Sequence, residues 1–207
     1  MMNIQSIGER EAYLLGLIWA DGHIQEKYRR TILTSTYPDA KDLEKILEDW
    51  KKYISKPKKK HWKIIATFQN NNELLFNFLY ENDYVAKSHL SADKILTNIP
   101  VNFHYLFFRG LSDGDGCFYI SKRKQYSYTL ASSLEQDWTF FTKVLNQLEV
   151  KHKVIIRKGK KKSHSVVRFT SKSDINKFGK FIYQNFENQQ LGLKRKYEKW
   201  QLVPKSS

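Results

Sequence analysis

The sequence predicts an α+β protein made of two copies of one unit, in the order helix, strand pair, helix, strand pair, helix, related by a pseudo-twofold axis. Three observations carry this prediction. The element order runs twice along the 207 residues, short residue strings recur at matching places, and the helix opening each copy has small residues four apart.

In the first copy, Tyr13, Leu14, Leu17 and Ile18 fall at helical spacing between Glu9 and Ala20, and Asp21-Gly22 closes that helix. His23 to Thr36 is rich in Ile, Thr and Tyr, which predicts two short strands turning near Lys27 to Arg30. Pro38 and Asp39 open a second helix, with Leu43, Ile46, Leu47, Trp50 and Tyr53 as its apolar face. A hairpin follows from Ser55 to Phe68, turning at Lys56-Pro57-Lys58-Lys59-Lys60, and Leu74 to Tyr80 is a third helix. Beyond Pro100 the order returns: helix His104 to Asp113, strands Cys117 to Ile120 and Tyr126 to Ala131, helix Gln136 to Leu148, strands Lys153 to Arg157 and Ser165 to Thr170, helix Ile175 to Tyr183. The expected repeats are residues 1–98, including a linker, and 99–207. Asp21-Gly22 corresponds to Asp115-Gly116, and Phe78-Leu79-Tyr80-Glu81-Asn82 to Phe181-Ile182-Tyr183-Gln184-Asn185. A period of about 100 residues is too long for a solenoid and suits two packed half-domains.

Composition narrows the partner. With 36 Lys and Arg against 21 Asp and Glu, the net charge is +15 and the pI about 9.7, so an acidic partner is expected, nucleic acid ahead of an anionic membrane. A membrane is disfavoured, since no apolar run approaches the roughly 18 residues needed to span and Met1 to Arg10 lacks a signal-peptide core. The expectation is a soluble intracellular protein, in a bacterial or archaeal cytoplasm or an organelle. The single cysteine, Cys117, excludes an internal disulfide and a multi-cysteine zinc cluster.

The opening helices end in Leu14-Leu15-Gly16-Leu17-Ile18-Trp19-Ala20-Asp21-Gly22 and Phe108-Arg109-Gly110-Leu111-Ser112-Asp113-Gly114-Asp115-Gly116. Gly16 with Ala20 and Gly110 with Gly114 each form a small-residue stripe, so the two helices are expected to pack on each other through these four residues. A mid-helix glycine costs about 1 kcal/mol against alanine, which a close helix contact would repay. Packed side by side, the helices bring Asp21 and Asp115 together at two negative dipole ends, an arrangement that calls for an oxygen-seeking divalent cation. Asp-Gly is also an ordinary helix stop, and it is the duplication that gives the pair its weight. A calcium loop starting at Asp113 fails because its twelfth position is Lys124.

These two nonapeptides, spread over nearly the whole chain, resemble those of the LAGLIDADG homing endonucleases in their single-chain, two-motif form. Both keep the glycines and the last aspartate; the first departs at Leu15 and Trp19, the second at Phe108, Arg109, Ser112 and Gly114. The resemblance implies an αββαββα unit per repeat, motif helices at the centre, and antiparallel sheets forming a saddle over DNA. It implies a monomer with an internal pseudo-dimer that makes staggered double-strand breaks in a long DNA target by metal-dependent phosphodiester hydrolysis. Asp21 and Asp115 would bind the metal, with the Ala20 and Gly114 carbonyls as further ligands and Mg2+ as the ion, Mn2+ or Ca2+ being able to take its place. The family also has a lysine beyond the last helix of a repeat, for which Lys194, in Leu193-Lys194-Arg195-Lys196, and Lys87, in Ala86-Lys87-Ser88, are the candidates for a catalytic role.

Strand alternation sends Ile24, Phe118 and Ile120 toward the helices and Gln25, Lys27, Tyr119, Ser121 and Arg123 the other way. With Arg29, Lys153, Arg157 and Arg168 these are the expected DNA contacts, since Arg and Gln match base edges and Lys holds phosphates. Lys58, Lys59, Lys60, Lys158, Lys160, Lys161 and Lys162 are expected at the ends of the saddle. The alternative is a non-cleaving binder of the same fold, an intron RNA maturase or a DNA-binding regulator. Protein splicing is disfavoured, since Met1 opens the sequence and Lys205-Ser206-Ser207 closes it without the needed nucleophile or Asn.

Overall fold

The computed structural model describes residues 4, 6–55, 63–159 and 162–205, and the turn lysines Lys58, Lys59, Lys60, Lys160 and Lys161 lie outside them. Helix α1 (Glu9–Asp21) leads into β1 (Gly22–Gln25), β2 (Arg30–Thr36), α2 (Tyr37–Ile46), β3 (Lys51–Ser55), β4 (Ile65–Asn70) and α3 (Glu73–Glu81). After a short helix α4 (Asp93–Thr97) the order recurs as α5 (His104–Asp115), β5 (Gly116–Ile120), β6 (Tyr126–Ser133), α6 (Thr139–Gln147), β7 (Lys153–Arg157), β8 (His164–Phe169) and α7 (Lys172–Ile182). Helices α8 (Phe186–Gln189) and α9 (Lys194–Gln201) complete the described chain.

Each repeat holds a four-stranded antiparallel sheet, ordered β1-β2-β4-β3 in one and β5-β6-β8-β7 in the other. Alternation decides the faces. Ile24, Leu33 and Phe68 in one sheet and Phe118, Tyr128, Leu130 and Val167 in the other are buried in a single hydrophobic cluster that also contains both motif helices. The opposite faces are mostly polar, with Tyr53, Ile65 and Tyr119 exposed among the polar residues.

Several boundaries differ from the sequence expectation, among them the start of α7, which is Lys172 and not Ile175. Tyr53 belongs to β3 and not to the second helix, which stops at Ile46; the chain turns at Leu47 to bury Trp50, and Tyr53 then pairs with Thr67 across the sheet. Helix α6 starts at Thr139 and not at Gln136, because the Gln136 side chain is engaged with the Leu90 carbonyl. Both motif helices run on to include their last aspartate.

The α1–α5 contact is the most extensive between any two helices among the described residues. A Cβ at Gly16 would stand 1.9 Å from the Phe107 carbonyl oxygen, and one at Gly110 would stand 2.1 Å from that of Tyr13. Phe107 and Tyr13 occupy corresponding places in the two motifs, so the contact is reciprocal, as in a twofold dimer interface. Gly22 and Gly116, just past the helix ends, are extended at φ −75° and −79°, so no left-handed cap is involved. They are glycine for space: a Cβ would meet the Ile18 carbonyl oxygen in one and that of Ser112 in the other, both at 2.5 Å.

Gly110→Ala tests this contact. Alanine recovers about 1 kcal/mol of helix propensity, but the helices must separate to admit a methyl group, and overpacking of this kind costs about 1–3 kcal/mol or more. Urea unfolding should show a net loss of stability, with Gly16→Ala behaving alike.

Candidate functional site

The reciprocal glycine contact carries the two acids to one place. At the helix ends a Cβ on Gly114 would lie 2.3 Å from the Ala20 Cβ and 3.2 Å from Asp21 Oδ2, so the last turns of α1 and α5 touch. Both carboxylates open to solvent, yet the protein packed around them strips enough hydration for burial to be the largest influence on each. Burial, reinforced by the negative charge of Asp21, pushes the Asp115 carboxyl up to about 6, against the opposing pull of Lys87 and Lys196. Burial likewise raises Asp21, with the same two lysines pulling it down.

Those lysines are the second part of the site. An α-helix leaves its last four carbonyls without intrahelical partners, at the negative end of its dipole. Lys87 Nζ lies under the end of α1 and donates to the carbonyls of Trp19 (2.8 Å), Gly22 (2.9 Å), Ala20 (3.1 Å) and Ile18 (3.3 Å), and to Tyr84 Oη (3.1 Å). Lys196 Nζ lies under α5 and donates to the corresponding carbonyls of Ser112 (2.7 Å), Gly116 (2.8 Å) and Gly114 (3.4 Å), with a further short contact to Asp113. Burial lowers both amines. Lys87 falls to about 8, with Asp115 and Asp21 pulling it back up; Lys196 is lowered with Asp113 opposing most strongly.

Lys194 is therefore corrected. It is exposed, its Nζ 3.8 Å from Glu198, while Lys196 holds the place expected of it. The sequence does contain the signal: Leu193, Lys196, Trp200 and Val203 form one buried stripe at helical spacing, and Lys194 lies off it. One departure in the second motif, Arg109, serves the same segment, together with the motif's Asp113. Buried Arg109 donates to the carbonyls of Ile182 (2.6 Å), Gln184 (2.7 Å) and Leu191 (2.8 Å), and the buried Asp113 carboxylate accepts from the Leu193 amide at 2.8 Å. These contacts anchor the segment that delivers Lys196.

Two cavities flank the helix pair, and each mixes the repeats. One, of about 90 Å³, is lined by Asp115 of the second repeat with Lys87 of the first, together with Ser132, Ser133 and Gln136. The other, of about 310 Å³, is lined by Asp21 and Asp39 of the first repeat with Arg195 of the second. The Ala20 and Gly114 carbonyls, expected as metal ligands, accept from Lys87 and Lys196, which leaves one lone pair on each. Among the described residues no group of three or more His, Cys, Asp or Glu could hold a metal. The donor set that remains, two carboxylates with two carbonyls, suits a hard cation that keeps water or takes phosphate oxygens, as Mg2+ does.

Gln25, Tyr119, Lys153, Arg157 and Arg168 share the polar faces of the sheets: Gln25 opposes Arg30, and Lys153 and Arg157 on β7 oppose Arg168 and His164 on β8. Arg30 and Gln69, which the sequence reading missed, extend this surface; Arg30 Nε donates to Gln25 Oε1 at 2.6 Å and Arg30 to Gln69 Oε1 at 3.3 Å. Lys27 lies in a short turn after β1, exposed, and Ser121 and Arg123 in the β5–β6 turn. Arg29 does not face this surface freely. Left-handed at φ 46°, it turns back to α3, with Nε 3.0 Å from Glu73 and its guanidinium 4.9 Å from the Phe76 ring. Lys158 and Lys162 are exposed at the β7–β8 turn. No helix among the described residues is long and apolar enough to cross a membrane.

Comparison with known proteins agrees with this geometry. Residues 108–204 match the family model described as LAGLIDADG endonuclease. The fold extends the likeness to both repeats. The I-LtrWI LAGLIDADG homing endonuclease bound to target DNA superposes with a TM-score of 0.57 at 16% identity, over 97% of this chain and 90% of that one. The second repeat thus matches the LAGLIDADG endonuclease model, and the chain as a whole shares the fold of the solved LAGLIDADG structures. A variant of I-DmoI, in complex with its target DNA and in the presence of Mn, gives a TM-score of 0.56 at 18% identity, covering 88% and 97% of the two chains. The N-terminal LAGLIDADG domain of DUF199/WhiA gives 0.51 at 17% identity, covering 86% and 87%. At such identities the structural likeness is one of fold. Comparison with curated protein sequences gives no match.

Two measurements test the paired helix ends. A carboxyl raised from 3.8 to about 6 in the folded state adds stability below pH 3.8 that is lost as pH rises through 6. Asp115→Asn should therefore raise the melting temperature of metal-free protein at pH 7.5, with a smaller gain at pH 4. Lys196→Met should cost about 2 kcal/mol or more by leaving buried carbonyls without their charged donor, whereas Lys194→Met should stay within about 0.5 kcal/mol in the same melts.

Proposed function

We propose that this chain is a site-specific DNA endonuclease, cutting both strands of a long duplex target to leave staggered ends. One observation carries the reading: two open carboxylates brought together at helix ends, each facing a cavity that also holds residues of the other repeat. A divalent cation bound there would lower the pKa of attacking water and steady the leaving oxygen. Asp21 and Asp115 would hold that cation, and below pH 6 its binding would compete with protonation of the raised Asp115 carboxyl. Lys87 and Lys196 neutralise the helix ends beneath the acids, so that phosphate can approach a carboxylate pair that would otherwise repel it. Because Lys196 is committed to carbonyls of α5, its part is to fix the acid-bearing turn and the local charge.

The polar sheet faces supply the DNA surface, with Gln25, Arg30 and Gln69 in one repeat and Tyr119, Lys153, Arg157 and Arg168 in the other. Arginine and glutamine there match guanine and adenine edges, while exposed lysines add salt-sensitive phosphate attraction. The same fold carries the DUF199/WhiA domain, so a non-cutting binder is the outcome against which the test is set.

Sites are selected by incubating the protein with randomised duplex DNA and Mg2+ or Mn2+ and sequencing the staggered ends. Asp21→Ala and Asp115→Ala should each lower cleavage at least about 100-fold while DNA affinity in Ca2+ stays within a few-fold. Below pH 6 the apparent metal affinity should fall about tenfold or more per pH unit as the carboxylates take up protons. Binding without cleavage in any divalent metal would reject the enzyme in favour of the binder, and full cleavage by Asp21→Ala would reject the metal-holding role given to Asp21.

A further inference from the structure

The lysine under each motif helix belongs to a segment that the opposite repeat holds. Lys196 lies in the first turn of α9, and its neighbours reach across to α2: the Lys194 amide donates to Asp42 Oδ2 at 2.9 Å, and Arg195 makes a two-pronged contact with Asp39, its second nitrogen 2.6 Å from Oδ2. Asp39 is itself buried and accepts from Thr36 Oγ1 at 3.3 Å, at the end of β2. Burial would raise the Asp39 carboxyl, but the Arg195 hydrogen bonds and charge outweigh it and hold it low.

On the other side of the axis the same loop does the same task with different chemistry. Buried Gln136 donates to the Leu90 carbonyl at 2.8 Å and is fixed by Ser132 Oγ at 2.9 Å; Ser133 Oγ donates to the Ser88 carbonyl, and the Asp137 amide to that of His89 at 3.3 Å. Those acceptors immediately follow Lys87. Thr36 and Ser133 close the corresponding strands β2 and β6, and Asp39 and Gln136 both lie three residues further on. One latch is ionic, the other neutral.

We propose that Asp39 and Gln136 are positioning residues that lock the lysine of the opposite repeat, Asp39 holding Lys196 through Arg195 and Gln136 holding Lys87 through the 88–90 backbone. Each composite cavity is then complete only while the repeats stay docked. Loss of one latch disturbs one cavity, and with it the cutting of one strand. The strand consequence rests on the endonuclease reading; the lysine consequence does not.

Both are measurable on the full chain. Brief acetylation followed by mass spectrometry reads the accessibility of each lysine. Asp39→Asn should raise labelling of Lys196 about tenfold with Lys87 unchanged, and Gln136→Ala should do the reverse, each latch being worth about one charged or neutral buried hydrogen bond. Arg195→Gln approaches the ionic latch from its other partner and should copy Asp39→Asn, and melting curves confirm that the variants are folded. On a cleavable target, strand-specific nicking should slow about tenfold on one strand in Asp39→Asn and on the other in Gln136→Ala, as a fall in kcat with KM little changed. Labelling that rises at both lysines together, or at neither in folded Asp39→Asn and Arg195→Gln, overturns the latch. Selective labelling in a protein that never cuts upholds the latch and rejects the endonuclease reading instead.

Discussion

The backbone contact between α1 and α5 is the constraint on which the rest depends. Two glycines, each facing a carbonyl of the other helix, let these helices approach more closely than any side chain would permit. That closeness places two carboxylates and two sets of unpartnered helix carbonyls in one small volume, a concentration of negative charge that folding alone would not favour. The two buried ammonium groups answer it. Each satisfies the carbonyls of one helix end, and both lower the proton affinity of the nearby acids.

The compensation is partial by design of the geometry. Lysines placed among carbonyls offset the dipoles but do not form direct pairs with Asp21 or Asp115, and the acids stay raised and open. A site of this kind keeps part of its electrostatic demand for something that arrives later. On the proposed reading a divalent cation with phosphate oxygens would meet that demand, and carboxylates that cost stability at neutral pH would be kept for it.

The two repeats achieve this unequally. The first delivers Lys87 from a loop that follows α3 closely, with Tyr84 filling the space beneath Gly22. The second delivers Lys196 from α9 after a longer excursion, and fixes it with Arg109 and Asp113 from the motif helix itself. The same solution at the carbonyls is thus supported by different scaffolds, so sequence symmetry fades away from the helix pair.

The sequence by itself determined the element order, the duplication, the stripe of small residues and the two acids, because these rest on local periodicity and on residues that recur in both copies. The α1–α5 contact was legible for the same reason: glycine four residues from another small residue is a local pattern with a direct packing consequence. Which cation lies under α5 was only faintly legible, in the spacing of Leu193, Lys196, Trp200 and Val203, and tertiary structure decided it. Within Lys194-Arg195-Lys196 all three side chains are chemically suitable, and only the rotation of α9 set by Leu193, Trp200 and Val203 turns Lys196 inward, Arg195 to Asp39 and Lys194 to solvent. It also turned Arg29 back onto α3 and brought Arg30 and Gln69 together with Gln25, since pairing between strands far apart in sequence is not written in any one of them.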